Sequence, residues 1–336
     1  MRDVAIVATA QAPGRVGTTL TSVELMLPVI HEAIARAGID KGEIGFWCHG
    51  SCDYMSGQPF SFVSAVDALG AWPPIIESHV EADGAWALYE AWVKIQTGET
   101  DVALVFSNGK TTAGDIDRIM ALQTDPYSVA PLWPDMVSMA ALQARACLDA
   151  GVVSEQAMAE VAARSLRDAV ANPAAAVRGE HDVAELVARP MTHHPFRTHD
   201  IGVNSDGANA VVIAAGDVAR RLTARPAWVR GIDHRLDSQR LGGRSLTESP
   251  SAAIAAAKAG VGEDKVDVAE LHAPFTHQEL LLRSALGLGD ATSVNPSGGA
   301  LCANPAMAAG LARFAEVAER IMAGSADRGV AHCTSG

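Results

Sequence analysis

The chain has 336 residues, of which 49% are hydrophobic, and its formal net charge is −13 at pH 7. This length exceeds that of an ordinary single domain, so two domains or one duplicated unit is expected. The acidic balance and the lack of clustered lysines and arginines argue against nucleic-acid binding, and no apolar run is long enough to span a membrane. The first ten residues do not resemble a secretion signal, which predicts a cytoplasmic protein.

Cysteines and histidines are scattered rather than grouped at metal-binding distances. An odd number of dispersed cysteines is typical of reduced thiols. His193, His194 and His199 lie in the loop-like segment 191–200, but they lack the i, i+4 spacing of a helical metal site. We therefore predict no metal.

The N-terminal part predicts a strand, a helix and another strand in succession. Residues 4–9 are apolar, and Thr21 and Glu24 have the spacing of a capping box that opens an amphipathic helix. Gly38 ends this helix, and a strand follows at about residues 44–48.

A second helix and strand follow in the same order. Residues 83–96 predict a helix that Gly98 ends, and residues 101–106 predict a buried strand. The chain then repeats both units, with a helix at 250–258 before Gly260, a strand at 266–271, a helix at 305–324 and a strand from Val330. The number of residues from Gly38 to Gly260 is nearly the same as the number from Gly98 to Gly324. This equal spacing indicates an internal duplication.

This pattern predicts two similar α/β halves, residues 1–205 and residues 206–336. The first half carries a mostly helical insertion at about 110–200, and such insertions often shape a binding site. The second half is expected to lack its last strand.

Three segments now resemble one family. They are residues 204–208 (NSDGA), residues 270–275 (ELHAPF), and residues 294–299 (VNPSGG) followed by Asn304 and Pro305. Together they resemble the thiolases, and within them the sterol-carrier-protein-x type, also called lipid-transfer thiolases. The resemblance covers the whole chain and implies a five-layered α/β/α/β/α thiolase fold built from two duplicated halves. It also implies an active site between the halves, with helix N-termini able to stabilise an oxyanion.

Two catalytic positions of the family are replaced. The resemblance places Glu81 where the nucleophilic cysteine is expected, just before the helix that Asp83 opens. A carboxylate is a poor substitute for a thiolate, and the plain alternative for both acids is helix capping. Asn304 stands where the family has a catalytic histidine, and an amide cannot shuttle a proton near neutral pH.

Other positions keep residue types that can act as an acid, a base or a hydrogen-bond donor. The resemblance implies that His272 takes the place of the oxyanion-hole histidine, with a hydrogen-bonded structural histidine as the alternative. Residues 331–336 resemble the loop of the family's second cysteine, which makes Cys333 a candidate acid or base. We list the expected catalytic residues as His272, Cys333 and Asn304. Coenzyme A contacts are expected from Arg240, Arg244, Ser297 and Gly298, although a solvated loop explains the segment 235–244 equally well.

The sequence therefore predicts an enzyme or enzyme subunit that cleaves carbon–carbon bonds of acyl-CoA thioesters, by retro-aldol chemistry or atypical thiolysis. The resemblance implies lipid or sterol side-chain degradation, and a dimer or a heteromer with a second thiolase-like chain or a zinc-ribbon/OB-fold acyl-CoA-binding protein. Subunit pairing is expected near residues 101–108. The alternative is a non-catalytic acyl-CoA-binding or structural subunit.

Overall fold

A computed structural model describes residues 2–57, 59–238, 240 and 242–334 of the chain. Its strands are Val4–Gln11 (β1), Phe46–Ser51 (β2), Ile76–Glu81 (β3), Val102–Gly109 (β4), Gly207–Ala215 (β5), Ala227–Trp228 (β6), Val268–Leu271 (β7), Ser293–Val294 (β8) and Gly329–His332 (β9). Its helices are Ser22–Ala37 (α1), Asp53–Ser56 (α2), Phe62–Leu69 (α3), Gly84–Thr97 (α4), Ile116–Leu122 (α5), Met136–Asp149 (α6), Glu155–Asp168 (α7), Val183–Ala188 (α8), Gly216–Leu222 (α9), Pro250–Lys258 (α10), Thr276–Ala285 (α11), Gly299–Cys302 (α12) and Ala309–Met322 (α13).

The strands form two sheets with a shared motif. The first sheet has the order β3-β2-β4-β5-β1-β6, and the second has the order β8-β7-β9. β2 runs parallel to β3 and β4, and β7 runs parallel to β8 and β9. The same three-strand unit thus occurs twice, as the predicted duplication requires.

The helices complete five layers. α1 and α3 pack on the outer face of the first sheet, α10 and α11 cover the second sheet, and α4 and α13 lie between the two sheets. The buried side chains of β4 and of α4 form one continuous core with those of α13. The predicted α/β thiolase fold is confirmed.

Local signals explain the ends of α1. The Thr21 hydroxyl accepts the Glu24 backbone N–H at 3.2 Å, and the Glu24 carboxylate accepts the Thr21 N–H at 2.8 Å. Gly38 then adopts φ +66°, a left-handed conformation that favours glycine. The predicted capping box and helix stop are both present.

The connection between β4 and β5 contains α5, α6, α7 and α8, which form the predicted helical insertion. Strand pairing carries the first sheet beyond the boundary expected at residues 205 and 206, because β5 pairs with both β1 and β4. The division into halves 1–205 and 206–336, with a last strand missing, stays a prediction. Residues 1 and 335–336 of those ranges lie outside the described residues.

One sequence expectation about this sheet is wrong. Subunit pairing was expected near residues 101–108, but β4 is bonded to β2 on one side and to β5 on the other. A strand with both edges occupied cannot pair with another chain. The edge of the first sheet on this side is β3.

Candidate active site

The N-termini of the two central helices meet at one buried carboxylate. Asp83 is 2% exposed and caps α4, accepting the Ala85 N–H at 2.9 Å. The same carboxylate accepts the N–H groups of Gly310 and Leu311 at 2.8 Å and 3.0 Å. Asp83 therefore satisfies orphan donors of α4 and α13 together.

The sequence predicted half of this arrangement. Asp83 was expected to cap the helix that it precedes, and it does. Its reach to α13 was missed, because that contact joins residues far apart in the chain. A local signal existed: Ala308, at the N-cap position of α13, has no side-chain acceptor. Gly310 also leaves no space for a β-carbon beside Asp83 and Cys333.

Glu81, which the resemblance places where the nucleophilic cysteine is expected, ends β3. Its carboxylate accepts the N–H of Asp53, the first residue of α2, at 2.7 Å. The side chain is exposed and caps a short helix. This is the capping alternative rather than the geometry of a nucleophile.

Cys333 lies against the Asp83 carboxylate and close to Gly310. Burial, the negative charge of Asp83 and a hydrogen bond to it raise the pKa of the Cys333 thiol well above its ordinary value. A thiol that holds its proton is a weak nucleophile and a weak base. Its neighbour His332 has its pKa lowered to about 3 by burial and by His272, so it adds no positive charge near neutral pH.

His272 follows β7 directly, and its ring is held from two sides. Nδ1 lies 2.9 Å from the carbonyl oxygen of Thr334, and Nε2 lies 3.0 Å from Oδ1 of Asn304. The backbone N–H of His272 donates to the His332 carbonyl at 3.1 Å. The ring is partly exposed, so a ligand can reach it.

A proton on Nδ1 fits both short contacts. His272 then donates to the Thr334 carbonyl, and the Asn304 amide, turned so that its nitrogen faces the ring, donates to Nε2. A proton on Nε2 donates to Asn304 Oδ1, but the Nδ1 lone pair then faces the Thr334 carbonyl oxygen at 2.9 Å, so this form requires Thr334 to move and present its N–H, now 3.4 Å from Nδ1. In that form Nε2–H is directed at Asn304 Oδ1.

Asn304 is positioned by the segment that precedes β5. Its backbone N–H donates to the Ser205 hydroxyl at 3.0 Å, and residues 204 and 304 form a parallel bridge. Asn204 Oδ1 in turn accepts the Thr111 hydroxyl at 2.6 Å. The structure thus brings His272, Asn304 and Cys333 together, with Thr334 and Asp83 linking them.

Ser297 and Gly298 lie apart from this cluster, in a buried turn. The Ser297 hydroxyl donates to Glu270 at 2.7 Å and accepts from Arg313 at 2.8 Å, and Ser297 is 2% exposed. Gly298 adopts φ +92°, where a β-carbon would collide with Ala169. The Ser297 hydroxyl proton is therefore already used in the bond to Glu270. The expected contacts of Ser297 and Gly298 with coenzyme A stay a prediction.

The Glu270 carboxylate explains why the segments of the resemblance meet. It accepts the Ser297 N–H at 2.9 Å and pairs with Arg313 of α13 at 2.7 Å. Burial raises the pKa of Glu270, and the charge of Arg313 opposes that rise. Paired in this way, Glu270 fixes the end of β7 and therefore the place of His272.

Arg240 and Arg244 are exposed and lie outside the cluster. Hydrogen bonds from Ser128 lower the pKa of Asp125, and the charge of Arg240 adds a smaller effect. That effect places Arg240 near the helical insertion. Gln239 and Leu241 of the same segment lie outside the described residues, and coenzyme A binding by both arginines stays a prediction.

Two further observations concern metal binding and membrane crossing. Within the described ranges, no group of three or more His, Cys, Asp or Glu side chains could hold a metal ion. No helix in the described part of the chain combines the length and the apolar character that crossing a membrane requires.

No protein-family model matches the chain. It is 26% identical to the acetyl-CoA acetyltransferase of Methanothermobacter thermautotrophicus, over 94% of this chain and 90% of that protein. It is 27% identical to the benzoylsuccinyl-CoA thiolase subunit BbsB of Thauera aromatica, over 50% of this chain and 49% of that subunit.

Solved structures share the fold across nearly the whole chain. The structure titled Ltp2-ChsH2(DUF35) aldolase matches with a TM-score of 0.79 and 18% identity, covering 99% of this chain and 94% of that one. The acetyl-CoA acetyltransferase of Bacillus anthracis matches with a TM-score of 0.79 and 17% identity, covering 100% and 96%. These sequence relatives and this fold support the resemblance to the thiolases, and the chain is a thiolase-like protein.

Proposed function

We propose that the chain is an enzyme, or the thiolase-like subunit of an enzyme, that cleaves a carbon–carbon bond of an acyl-CoA by a retro-aldol reaction. The observation that carries the proposal is the partly exposed His272, whose Nε2 lies 3.0 Å from Asn304 Oδ1, with a Cys333 thiol nearby that holds its proton. The names of the curated relatives refer to CoA thioesters, and one solved structure of the same fold is an aldolase.

The chemistry requires no covalent intermediate. A base removes the proton of the β-hydroxyl group, the oxygen electrons form a carbonyl, and the bond between the α- and β-carbons breaks. The electron pair of that bond passes to the thioester as an enolate, which then takes a proton at the α-carbon. A donor aimed at the enolate oxygen stabilises the transition state, and His272 Nε2–H is that donor.

Thiolysis is the poorer fit. It needs a thiolate that attacks the substrate, and Glu81 occupies that position while Cys333 holds its proton. Intact-protein mass spectrometry after mixing with acetoacetyl-CoA should show no thiol-sensitive adduct. An adduct on Cys333 or Cys302 would identify a nucleophile and overturn the retro-aldol proposal.

A second candidate is a non-catalytic subunit that binds acyl-CoA or supports a catalytic partner. One observation favours it: the Asp83 carboxylate already occupies the Gly310 and Leu311 N–H groups at the N-terminus of α13 and the Ala85 N–H of α4. Those groups are the donors that the fold would otherwise direct at an oxyanion.

Partners are proposed on the surface around β3. Among the described residues β3 pairs with β2 alone, and large apolar side chains near it in sequence are exposed, including Tyr54, Phe60, Trp72 and Ile76. A free strand edge with exposed apolar side chains nearby is typical of a protein interface. We place here a second thiolase-like chain, either identical or different, and a zinc-ribbon/OB-fold acyl-CoA-binding protein is the other proposed partner.

Two further proposals concern the pathway and the cellular location. The resemblance to lipid-transfer thiolases supports a role in lipid or sterol side-chain degradation and a cytoplasmic location. The test of function is turnover of β-hydroxyacyl-CoA by the isolated chain and by the chain co-expressed with the products of neighbouring genes. Release of a carbonyl product and a shortened acyl-CoA supports the proposal. Binding without turnover in either sample favours the non-catalytic subunit.

A further inference from the structure

A side-chain amide stands beside the contact between His272 and Asn304. Asn204 and Asn304 are partners in a parallel bridge, and bridge partners lie about 4.8 Å apart with their side chains on the same face. Asn304 Oδ1 in turn lies 3.0 Å from His272 Nε2. The Asn204 amide is therefore the next polar group along from the imidazole that the proposed reaction uses.

The orientation of the Asn204 amide follows from its contact with Thr111. The Thr111 hydroxyl donates to Asn204 Oδ1 at 2.6 Å, a separation that fits two oxygens and is shorter than an ordinary N–H···O bond. Thr111 is 3% exposed, so the amide oxygen faces the protein interior. In this orientation the other branch of the amide, Nδ2, keeps both of its N–H donors.

The Nδ2 donors of Asn204 are free for a ligand. No acceptor for them exists in the described part of the chain. Nδ2 is also not among the buried polar atoms that lack a partner, and Asn204 itself is partly exposed. A ligand that reaches Nδ2 must offer an acceptor, such as a carbonyl or hydroxyl oxygen.

The backbone around Asn204 is fixed by buried neighbours. The Ser205 hydroxyl accepts the Asn304 N–H at 3.0 Å, and the Asp206 carboxylate accepts the Thr18 N–H at 3.1 Å and the Thr112 hydroxyl at 2.5 Å. Ser205 and Asp206 are both 0% exposed. A donor on such a fixed backbone binds its ligand with little cost of ordering.

The proposed substrate has two oxygens near the bond that breaks. His272 is assigned to the thioester oxygen, which leaves the oxygen on the β-carbon, two positions from the thioester carbon, without a donor. We propose that Asn204 Nδ2 donates a hydrogen bond to this β-oxygen and thereby selects β-oxygenated acyl-CoA over saturated acyl-CoA. The inference rests on the proposed acyl-CoA cleavage and names the group that is recognised. A hydroxyl oxygen that accepts from Nδ2 still has its own proton available to the base.

The test compares butyryl-CoA, 3-hydroxybutyryl-CoA and acetoacetyl-CoA, which differ only at the β-carbon. Isothermal titration calorimetry on the full chain measures the three affinities. Wild type should bind both oxygenated compounds about 3- to 10-fold more tightly than butyryl-CoA, because each presents an acceptor to Nδ2.

Asn204→Asp tests the direction of the hydrogen bond. It keeps an oxygen for the Thr111 hydroxyl but replaces the Nδ2 donor by an acceptor. Acetoacetyl-CoA, whose ketone oxygen only accepts, should lose its preference over butyryl-CoA. 3-Hydroxybutyryl-CoA, whose hydroxyl can donate to the carboxylate, should keep its preference. A purely structural role of Asn204 would change all three affinities alike.

Gln123→Glu is the matched control, because it makes the same exchange of an amide for a carboxylate at an exposed residue of the helical insertion. It should keep both wild-type ratios. Asn204→Leu removes the donor and the acceptor together and should bring the three affinities within about twofold of one another. If circular dichroism shows that Asn204→Leu is unfolded, Asn204→Asp alone decides the test.

The outcomes separate the two proposals. Equal affinity of wild type for the three compounds would overturn the role of Nδ2 while leaving acyl-CoA binding intact. A wild-type preference for 3-hydroxybutyryl-CoA alone would show that the amide presents its oxygen, and an unchanged acetoacetyl-CoA preference in Asn204→Asp would place the donor on another residue; either result overturns the inference. Failure of wild type to bind any of the three compounds would overturn the acyl-CoA function and the inference with it.

Discussion

The two halves contain a similar histidine–asparagine pair in opposite settings. In the first half, His49 on β2 places Nε2 2.9 Å from Asn108 Oδ1, and in the second half, His272 after β7 places Nε2 3.0 Å from Asn304 Oδ1. His49 is 0% exposed and stacks on Phe106, whereas His272 is partly exposed. A substrate can reach the second imidazole and cannot reach the first.

The two histidines differ in burial rather than in the pair itself, and burial also sets the charge of the first ring. Burial lowers the pKa of His49 to about 4, although its hydrogen bond to Asn108 acts in the opposite direction. The sealed ring therefore stays neutral and serves packing. Four experiments test or refine this contrast, taken from the largest expected effect to the smallest.

His272→Ala should lower retro-aldol turnover by about 100-fold or more, because loss of one oxyanion donor costs about 2.7–4 kcal/mol in the transition state. Coenzyme A affinity should change by less than about twofold, since the lost donor acts on charge that develops during the reaction. Steady-state kinetics of the active complex and calorimetry measure the two quantities. His49→Gln is the control and should keep the wild-type rate. Wild-type turnover in His272→Ala would move the reaction to another subunit.

Asp83→Ala should destabilise the chain by about 2–3 kcal/mol, because it leaves the orphan N–H groups of α4 and α13 without an acceptor and one helix cap alone is worth about 0.5–2 kcal/mol. Urea unfolding followed by circular dichroism measures the free energy. Asp135→Ala is the matched control, because Asp135 caps α6 alone through the Ser138 N–H at 2.7 Å. Equal losses in the two variants would contradict the double cap.

The sequence predicted more of the fold than of the site. Capping and glycine signals are local, so the ends of α1 and α4 followed from a few residues each. The resemblance gathered His272, Asn304 and Cys333, which do lie together. The double cap by Asp83 was not predicted, because the one local signal, the missing side-chain acceptor at Ala308, does not show that residues 83 and 310 touch.

The wrong position expected for subunit pairing, near residues 101–108, has a physical explanation. The run at 101–106 is apolar at nearly every position, which is typical of a strand covered on both faces within a sheet. β3 (IESHVE) carries charged side chains and is exposed at both ends, which is typical of an edge. That contrast was readable in the sequence and identifies β3 as the strand open to pairing.

The sealed histidine should make the chain sensitive to acid. Because the pKa of His49 is lower in the folded state than in the unfolded state, the unfolded chain binds more protons between pH 4 and pH 6.5, and stability falls as the pH falls through this window. From pH 7 to pH 5, His49 should account for a loss of about 2 kcal/mol. His49→Gln keeps an amide donor for Asn108 and should lose about that much less. Parallel stability curves for the two proteins would show that His49 is not sealed.

The smallest effect concerns Cys333. This residue is close to the partly exposed His272, but its thiol packs against the buried Asp83. With its pKa raised well above the ordinary value by burial and by the carboxylate, it should react with iodoacetamide at pH 8 several-fold more slowly than an accessible free thiol. Asp83→Asn removes the negative charge but keeps a side-chain oxygen for the helix N–H groups, so the thiol should ionise more readily and react faster.

Peptide mass spectrometry follows the modification of Cys333 over time. Cys302, whose pKa burial raises to about 12 and which lies away from Asp83, is the internal control and should react equally slowly in both proteins. Rapid alkylation of Cys333 in wild type would show a thiolate in the cleft, and atypical thiolysis would then become the better account of the chemistry.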